Sequence, residues 1–205
     1  MTPTTEASRF WDGHYTAHLP ATEPGANVRL AEVATRLSPG RALDLGSGAG
    51  GDALWLARRG WRVTAADISA VALDHLAARA RDLGLGDRIT TERHDLAATF
   101  PAGPFDLVSA HYLHTSFPLP RDRVLQQAAR ALSPGGRLLV VEHGSVAPWS
   151  WNQDPGSYPA APRVPPLDPA EWTVERADAL PRRATGPGGQ TAEVVDHLLL
   201  VRRTR

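Results

Sequence analysis

Arg41-Ala-Leu-Asp-Leu-Gly-Ser-Gly-Ala-Gly-Gly51 constrains this chain more than any other stretch. A short apolar run holds an acid, Asp44, near its end, and four glycines follow within six residues. The pattern reads as a buried strand, a tight turn and a helix N-terminus. Glycine admits positive φ and lets a ligand approach where a Cβ would stand in the way. The first turn of a helix offers backbone N–H groups that have no partner inside the helix. The stretch therefore predicts a nucleotide-type cofactor site.

Around it the chain alternates. From Val28, Leu30, Val33, Ala34 and Leu37 fall at helical spacing, and Ser38-Pro-Gly40 closes that helix. Strands are expected at 42–45, 61–66, 88–93, 105–110 and 137–141, with helices at 52–59, after the capping Ser69, and at 121–132. Ser133-Pro-Gly-Gly136 is expected to turn the last helix into the fifth strand. Residues 172–178 and 193–202 read as a closing strand pair joined by a Pro/Gly-rich loop at 181–189. The alternation predicts an α/β fold: a doubly wound, Rossmann-like, seven-stranded sheet, mostly parallel with an antiparallel C-terminal strand, and helices on both faces. All 205 residues are expected to form one domain.

Two segments fall outside the alternation. Residues 1–8 read as a loose tail, and 9–20, with Phe10, Trp11 and Tyr15, as an N-terminal helix or lid. Residues 144–170 carry seven prolines with Trp149, Trp151 and Tyr158 and show no period, so they are the expected substrate lid.

Composition removes several chemistries. The chain has no lysine, which excludes a P-loop and Schiff-base catalysis. It has no cysteine, which excludes disulfides and thiolate chemistry. The formal net charge is zero and no basic cluster stands out, so neither nucleic acid nor a membrane is an expected partner. No secretory signal or membrane-length apolar run is visible, so a cytoplasmic protein, monomer or homodimer, is expected.

Gly46, Gly48 and Gly51 fit the dinucleotide fingerprint, whereas Asp44, Gly46, Gly48 and Gly50 fit the loop of S-adenosylmethionine sites. Asp67, 21 residues beyond Gly46, suits the ribose diol of either cofactor. Asp44 favours the second, because a carboxylate there meets an ammonium well and a pyrophosphate badly. Asp95 supplies a second acid after the third strand, suited to an adenine amino group.

With Leu43-Asp-Leu-Gly-Ser-Gly-Ala-Gly50, Val63-Thr-Ala-Ala-Asp-Ile-Ser69, His94-Asp-Leu96, Phe105-Asp-Leu-Val108 and Leu132-Ser-Pro-Gly-Gly136, the chain resembles the class I S-adenosylmethionine-dependent methyltransferases. Phe10-Trp-Asp-x-x-Tyr15 looks most like the small tellurite-resistance and thiopurine branch. The resemblance implies S-adenosylmethionine as cofactor, S-adenosylhomocysteine as product, and transfer to a small-molecule thiol, hydroxyl or amine. It implies cofactor contacts at Asp44, Gly46, Ser47, Gly48, Gly50, Asp67, Ile68, Asp95, Leu96 and His111, with Trp11 and Tyr15 covering the site.

An acceptor that carries a proton needs a base, and His111, His114 and His143 follow the fourth and fifth strands at the edge where α/β ligands bind. Nothing in their spacing demands a metal, and none is expected. Two alternatives stay open: an NAD(P)-binding reductase, and an S-adenosylmethionine-binding protein that transfers no methyl group.

Overall fold

A computed structural model describes residues 5–150, 153–154 and 161–205. Its centre is β1 (Arg41–Leu45), in which Ala42, Leu43 and Leu45 are wholly buried. A parallel strand covered on both faces reads as a continuous apolar run, as this one does. Parallel neighbours flank it: β2 (Arg62–Asp67) on one side and β4 (Phe105–His111) on the other. The sheet is completed by β3 (Ile89–Arg93), β5 (Leu132–His143), β6 (Trp172–Thr185) and β7 (Thr191–Arg203), in the order β3-β2-β1-β4-β5-β7-β6. Only β7 runs antiparallel to its neighbours.

Helices cover both faces. On one, α2 (Val28–Ala34), α3 (Gly51–Arg58) and α4 (Ala70–Asp82) pack Leu30, Val33, Leu54, Leu56 and Leu76 against Ala42, Val63, Leu107 and Leu139. On the other, α5 (Arg121–Arg130) packs Val124, Leu125 and Ala128 against Leu43, Leu45, Val108 and Leu138. Truncating a fully buried leucine such as Leu54 costs about 2–5 kcal/mol at sites of this kind. The β3–β4 connection crosses the sheet without a helix, and its Leu96 and Phe100 join the α5-side core. Strand order reverses between β1 and β4, which opens a crevice at the carboxyl ends of the strands.

Three local expectations are corrected. Residues 5–8 are not tail: α1 (Glu6–His18) begins there, with Thr5 and Ser8 in a reciprocal cap. Ser133–Gly136 lies inside β5, where the pairing slips from Phe105/Leu132 to Leu107/Arg137 and Gly135 takes φ +80°. The expected 181–189 loop is mostly strand, and only 186–190 turn. Pro181 is tolerated because β6 is the sheet edge, where a missing N–H breaks no ladder bond. Among the described residues no helix is long and apolar enough to cross a membrane.

Candidate active site

The glycine loop leaves β1 and enters α3. Gly46, Gly48 and Gly50 all take positive φ. The Gly46 and Ser47 amides donate to Ala66 O at 2.8 and 3.1 Å, and the Gly48 amide donates to Asp67 Oδ2 at 2.9 Å. Glycine is required at 48 on two counts: φ is +51°, and a Cβ would stand 2.6 Å from the Tyr15 hydroxyl. Asp67 Oδ1 accepts from the Ser69 amide at 2.9 Å. Burial raises the Asp67 pKa, against the pull of these backbone donors.

Beside the loop lies a concentration of negative charge. Asp44 is buried; Ser109 donates to its Oδ1 at 3.2 Å, and its Oδ2 has no partner. Asp52 accepts from the Asn27 amide and lies 2.7 Å from His111 Nδ1. Ligand atoms of Asp44, Asp52 and His111 fall within 4.8 Å of one another. Burial, with the Asp52 charge second, holds the Asp44 carboxyl well above the usual range. Ser47 Oγ and His111 Nε2 are also buried without partners. Orphaned acceptors and donors beside a turn with little side-chain bulk fit the ammonium and carboxylate of a methionine moiety.

Over the loop lies α1. Asp12 Oδ1 accepts from Ser69 Oγ at 2.7 Å and from the Val71 amide at 3.3 Å, so α1 is fastened to the N-terminus of α4. Burial pushes the Tyr15 phenol up to about 12, with Asp67 adding to the effect. Phe10 meets Phe117 edge-on, with ring centroids 5.4 Å apart, which ties α1 to the segment after β4.

Beneath α1 runs a cleft lined by Trp11, Tyr15, Gly46, Asp67, Ile68, Asp95, Leu96, Tyr112, Leu113, His114, Thr115 and Phe117, among others. Eight of the residues singled out in the sequence are therefore on its wall. Asp44, Ser47, Gly48, Gly50 and His111 stand at the loop and the strand ends, outside that lining. Asp95 Oδ1 also accepts from the Ala97 amide at 3.0 Å, so it shapes the turn as well.

The three histidines divide into two groups. His111 turns towards α3 and Asp52. His114 lines the cleft and stacks on His143, centroids 5.6 Å apart, and His143 stacks on Tyr112 at 4.2 Å. Burial pushes His143 down to about 4, with His114 next in effect. Burial and the Arg121 charge lower His114 as well. Of the segment 144–170, no described residue lines the cleft; Trp149 packs beside Gly186 at the β6–β7 turn. Trp151 and Tyr158 lie outside the described residues. Sequence reasoning missed Asp12, Asp52 and Phe117, whose partners are distant in the chain. Asp52 alone had a local signal, as an acid in the first turn of a helix.

A doubly wound sheet with a glycine loop after β1 and acids after β2 and β3 defines a nucleoside-cofactor enzyme of the class I methyltransferase type. Residues 42–136 match the family described as "Methyltransferase domain". The methyltransferase GfsG of Streptomyces halstedii is 35% identical over 105 residues, 50% of this chain and 37% of that protein. Demethylmenaquinone methyltransferase of Thermus thermophilus is 36% identical over 116 residues, 56% of this chain and 52% of that protein. The chain thus spans about half, or less, of the length of these curated relatives. In fold it resembles a solved protein of echinomycin biosynthesis, reported for conversion of a disulfide bond into a thioacetal group (TM-score 0.70, 22% identity, 97% of this chain and 92% of that one). TehB from Haemophilus influenzae is also similar in fold (TM-score 0.67, 17% identity, 94% of this chain and 67% of that one). Over residues 42–136 the chain is thus similar to a methyltransferase domain, and its fold is that of the class I S-adenosylmethionine-dependent methyltransferases, whose cofactor is S-adenosylmethionine.

Proposed function

We propose that this protein transfers a methyl group from S-adenosylmethionine to a small-molecule hydroxyl, thiol or amine. One observation carries the reading: a single cleft joins the cofactor-side residues Gly46, Asp67 and Asp95 to an aromatic compartment of Tyr112, His114 and Phe117 under α1. When bound, the cofactor would supply an electrophilic methyl on a sulfonium, with a neutral thioether as the leaving group.

The chain's own residues mainly hold and orient. Asp67 accepts from the ribose hydroxyls with the lone pairs that Gly48 and Ser69 leave over, and Asp95 and Leu96 frame the adenine. Asp44 and His111 receive the methionine end. Trp11 and Tyr15 keep water out. Holding the acceptor in line contributes on the order of 7–11 kcal/mol. His114 is the proton acceptor among the three candidates, because it alone reaches the cleft and its lowered pKa keeps it neutral at pH 7. A low basicity suffices, since an oxygen that has just received a methyl group is far more acidic than an imidazolium.

Other relatives carry names that specify ribosomal RNA and ribosomal protein L11, so the size of the acceptor is the point to test. A cleft roofed by α1 supports a small one. Calorimetric titration with S-adenosylmethionine, S-adenosylhomocysteine and NADH should show binding of the first two alone. Methyl-labelled cofactor should then label a phenol or thiol from a panel. Binding without transfer to any small acceptor would overturn the acceptor class, and tight NADH binding would overturn the cofactor.

A further inference from the structure

Tyr112 lines the cleft and is held from outside it. It is the one non-glycine with positive φ among the described residues, at +49°. Bulky side chains rarely adopt that conformation, and it persists where surrounding contacts over-determine it. Here they do. The Tyr112 hydroxyl donates to Asp196 Oδ1 at 2.9 Å and accepts from Arg182 Nη2 at 3.1 Å. Arg182 Nε donates to Asp196 Oδ2 at 2.8 Å, and Arg29 Nε lies 3.4 Å from the same oxygen. Asp196 is wholly buried in β7. Residues of α2, β6 and β7 thus converge on one phenol at the end of β4.

That phenol starts a column. The ring of Tyr112 lies on His143 with 14° between planes, and His143 lies on His114 with 16°. His114, at the far end, faces the cleft. The charged groups around it are accounted for. Arg121 of α5 lies 2.5 Å from Glu142 of β5 and donates to Leu113 O, while Arg182 of β6 and Arg29 of α2 are matched to Asp196. Among the described residues no ion pair sets a carboxylate against His114 to stabilise an imidazolium. The ring is placed by stacking instead.

We infer that Tyr112, acting through His143, is a positioning residue that sets the orientation and the dry environment of His114 as the base towards a protonated acceptor. The inference rests on the assignment of His114 proposed above. It balances simply: the acceptor's proton passes to a ring nitrogen of His114 as the carbon–acceptor bond forms and the carbon–sulfur bond breaks, its electron pair leaving on sulfur. His143 keeps its protonation state throughout.

The test is an NMR titration of the histidine ring protons, assigned with single His→Asn variants, in the wild type and in Tyr112→Phe. The wild type should show His114 and His143 titrating below the ordinary value of about 6.5. Phenylalanine keeps the ring and removes the tether. In Tyr112→Phe with an unchanged circular dichroism spectrum, both histidines should move back up towards that value. Tyr112→Gly, which suits the backbone at positive φ, should move them further and guards against a misfolded first variant. Either folded variant titrating like the wild type would overturn the proposal, because a merely structural tyrosine would change the melting temperature and leave the titrations in place. The titration uses neither cofactor nor acceptor. Failure of the methyl-transfer reading would show separately, as absent binding of S-adenosylmethionine.

Discussion

His111 reaches across the switch point to Asp52, its Nδ1 2.7 Å from Oδ2, so the end of β4 is fastened to the first turn of α3. Asp44 lies within 4.8 Å of both, with a carboxylate oxygen that has no partner. Two acids and one imidazole share a space that holds no arginine among the described ion pairs, an arrangement that opposes folding until a cation arrives.

Asp44→Asn should therefore separate stability from binding. Burial, and then Asp52, raise the Asp44 pKa, so the folded apoprotein binds that proton more tightly than the unfolded chain does. The sign follows from linkage: the contribution to stability is present at low pH and is lost as pH rises through the raised pKa. At pH 8 the asparagine variant should melt higher than the wild type without cofactor. It should bind S-adenosylmethionine more weakly, by about 1.5–3 kcal/mol for a lost charged hydrogen bond. A lower melting temperature with unchanged affinity would contradict the account.

Asp67→Ala should weaken cofactor binding by about 1.5–3 kcal/mol per charge-assisted hydrogen bond lost. It also strips the Gly48 and Ser69 amides of their acceptor, so the apoprotein should lose stability too. Calorimetry and thermal melts read the two effects. Unchanged affinity in a folded variant would mean that the ribose is held elsewhere.

Asp12→Ala should loosen α1. Its carboxylate takes the Ser69 hydroxyl and the Val71 amide at the start of α4, and a loss of this capping kind costs about 0.5–2 kcal/mol. Amide hydrogen exchange should speed up along α1 while the β1 and β4 amides keep their protection. Equal exchange in both proteins would show that Phe10 and Tyr15 alone hold the helix down.

Acid should destabilise the fold in a defined window. His143 stays neutral down to about pH 4 in the folded chain, mainly through burial, whereas an unfolded histidine protonates near about 6.5. Between those values the unfolded chain binds more protons, so stability is full above about 6.5 and falls as pH drops towards 4. The ring is partly open to water, and screening reduces the size of the effect. His143→Phe, which preserves the stack, should flatten the fall in denaturation midpoint between pH 6.5 and 4. An unaltered slope would place the acid sensitivity at other groups.

Much of the fold was legible because its signals are local. The apolar run at 42–45 and the glycines after it fell where expected, and Ser69 caps its helix through its own side chain. Errors arose where a local signal has two meanings. Pro181 and Ser133-Pro-Gly-Gly136 read as turns, yet the first sits on a sheet edge and the second in a slipped strand pairing. Neither edge position nor register is visible before the strands are assembled. The placement of Asp44, Asp67 and Asp95 at or just beyond the ends of β1, β2 and β3 was legible for the same reason as the loop. The division of the histidines into two groups was not, because the left-handed backbone at Tyr112 separates the path of His111 from that of His114.

The amino-acid sequence by itself determined the local elements, the glycine cradle, and the type of cofactor that an acid within β1 and acids after β2 and β3 can serve. Only the tertiary structure decided which residues meet across the chain: Asp12 with Ser69, 57 positions away, and Tyr112 with Asp196, 84 positions away. The reason is physical. Helix caps and turns follow from interactions within a few residues, whereas a buried phenol–carboxylate pair depends on the register of a complete sheet.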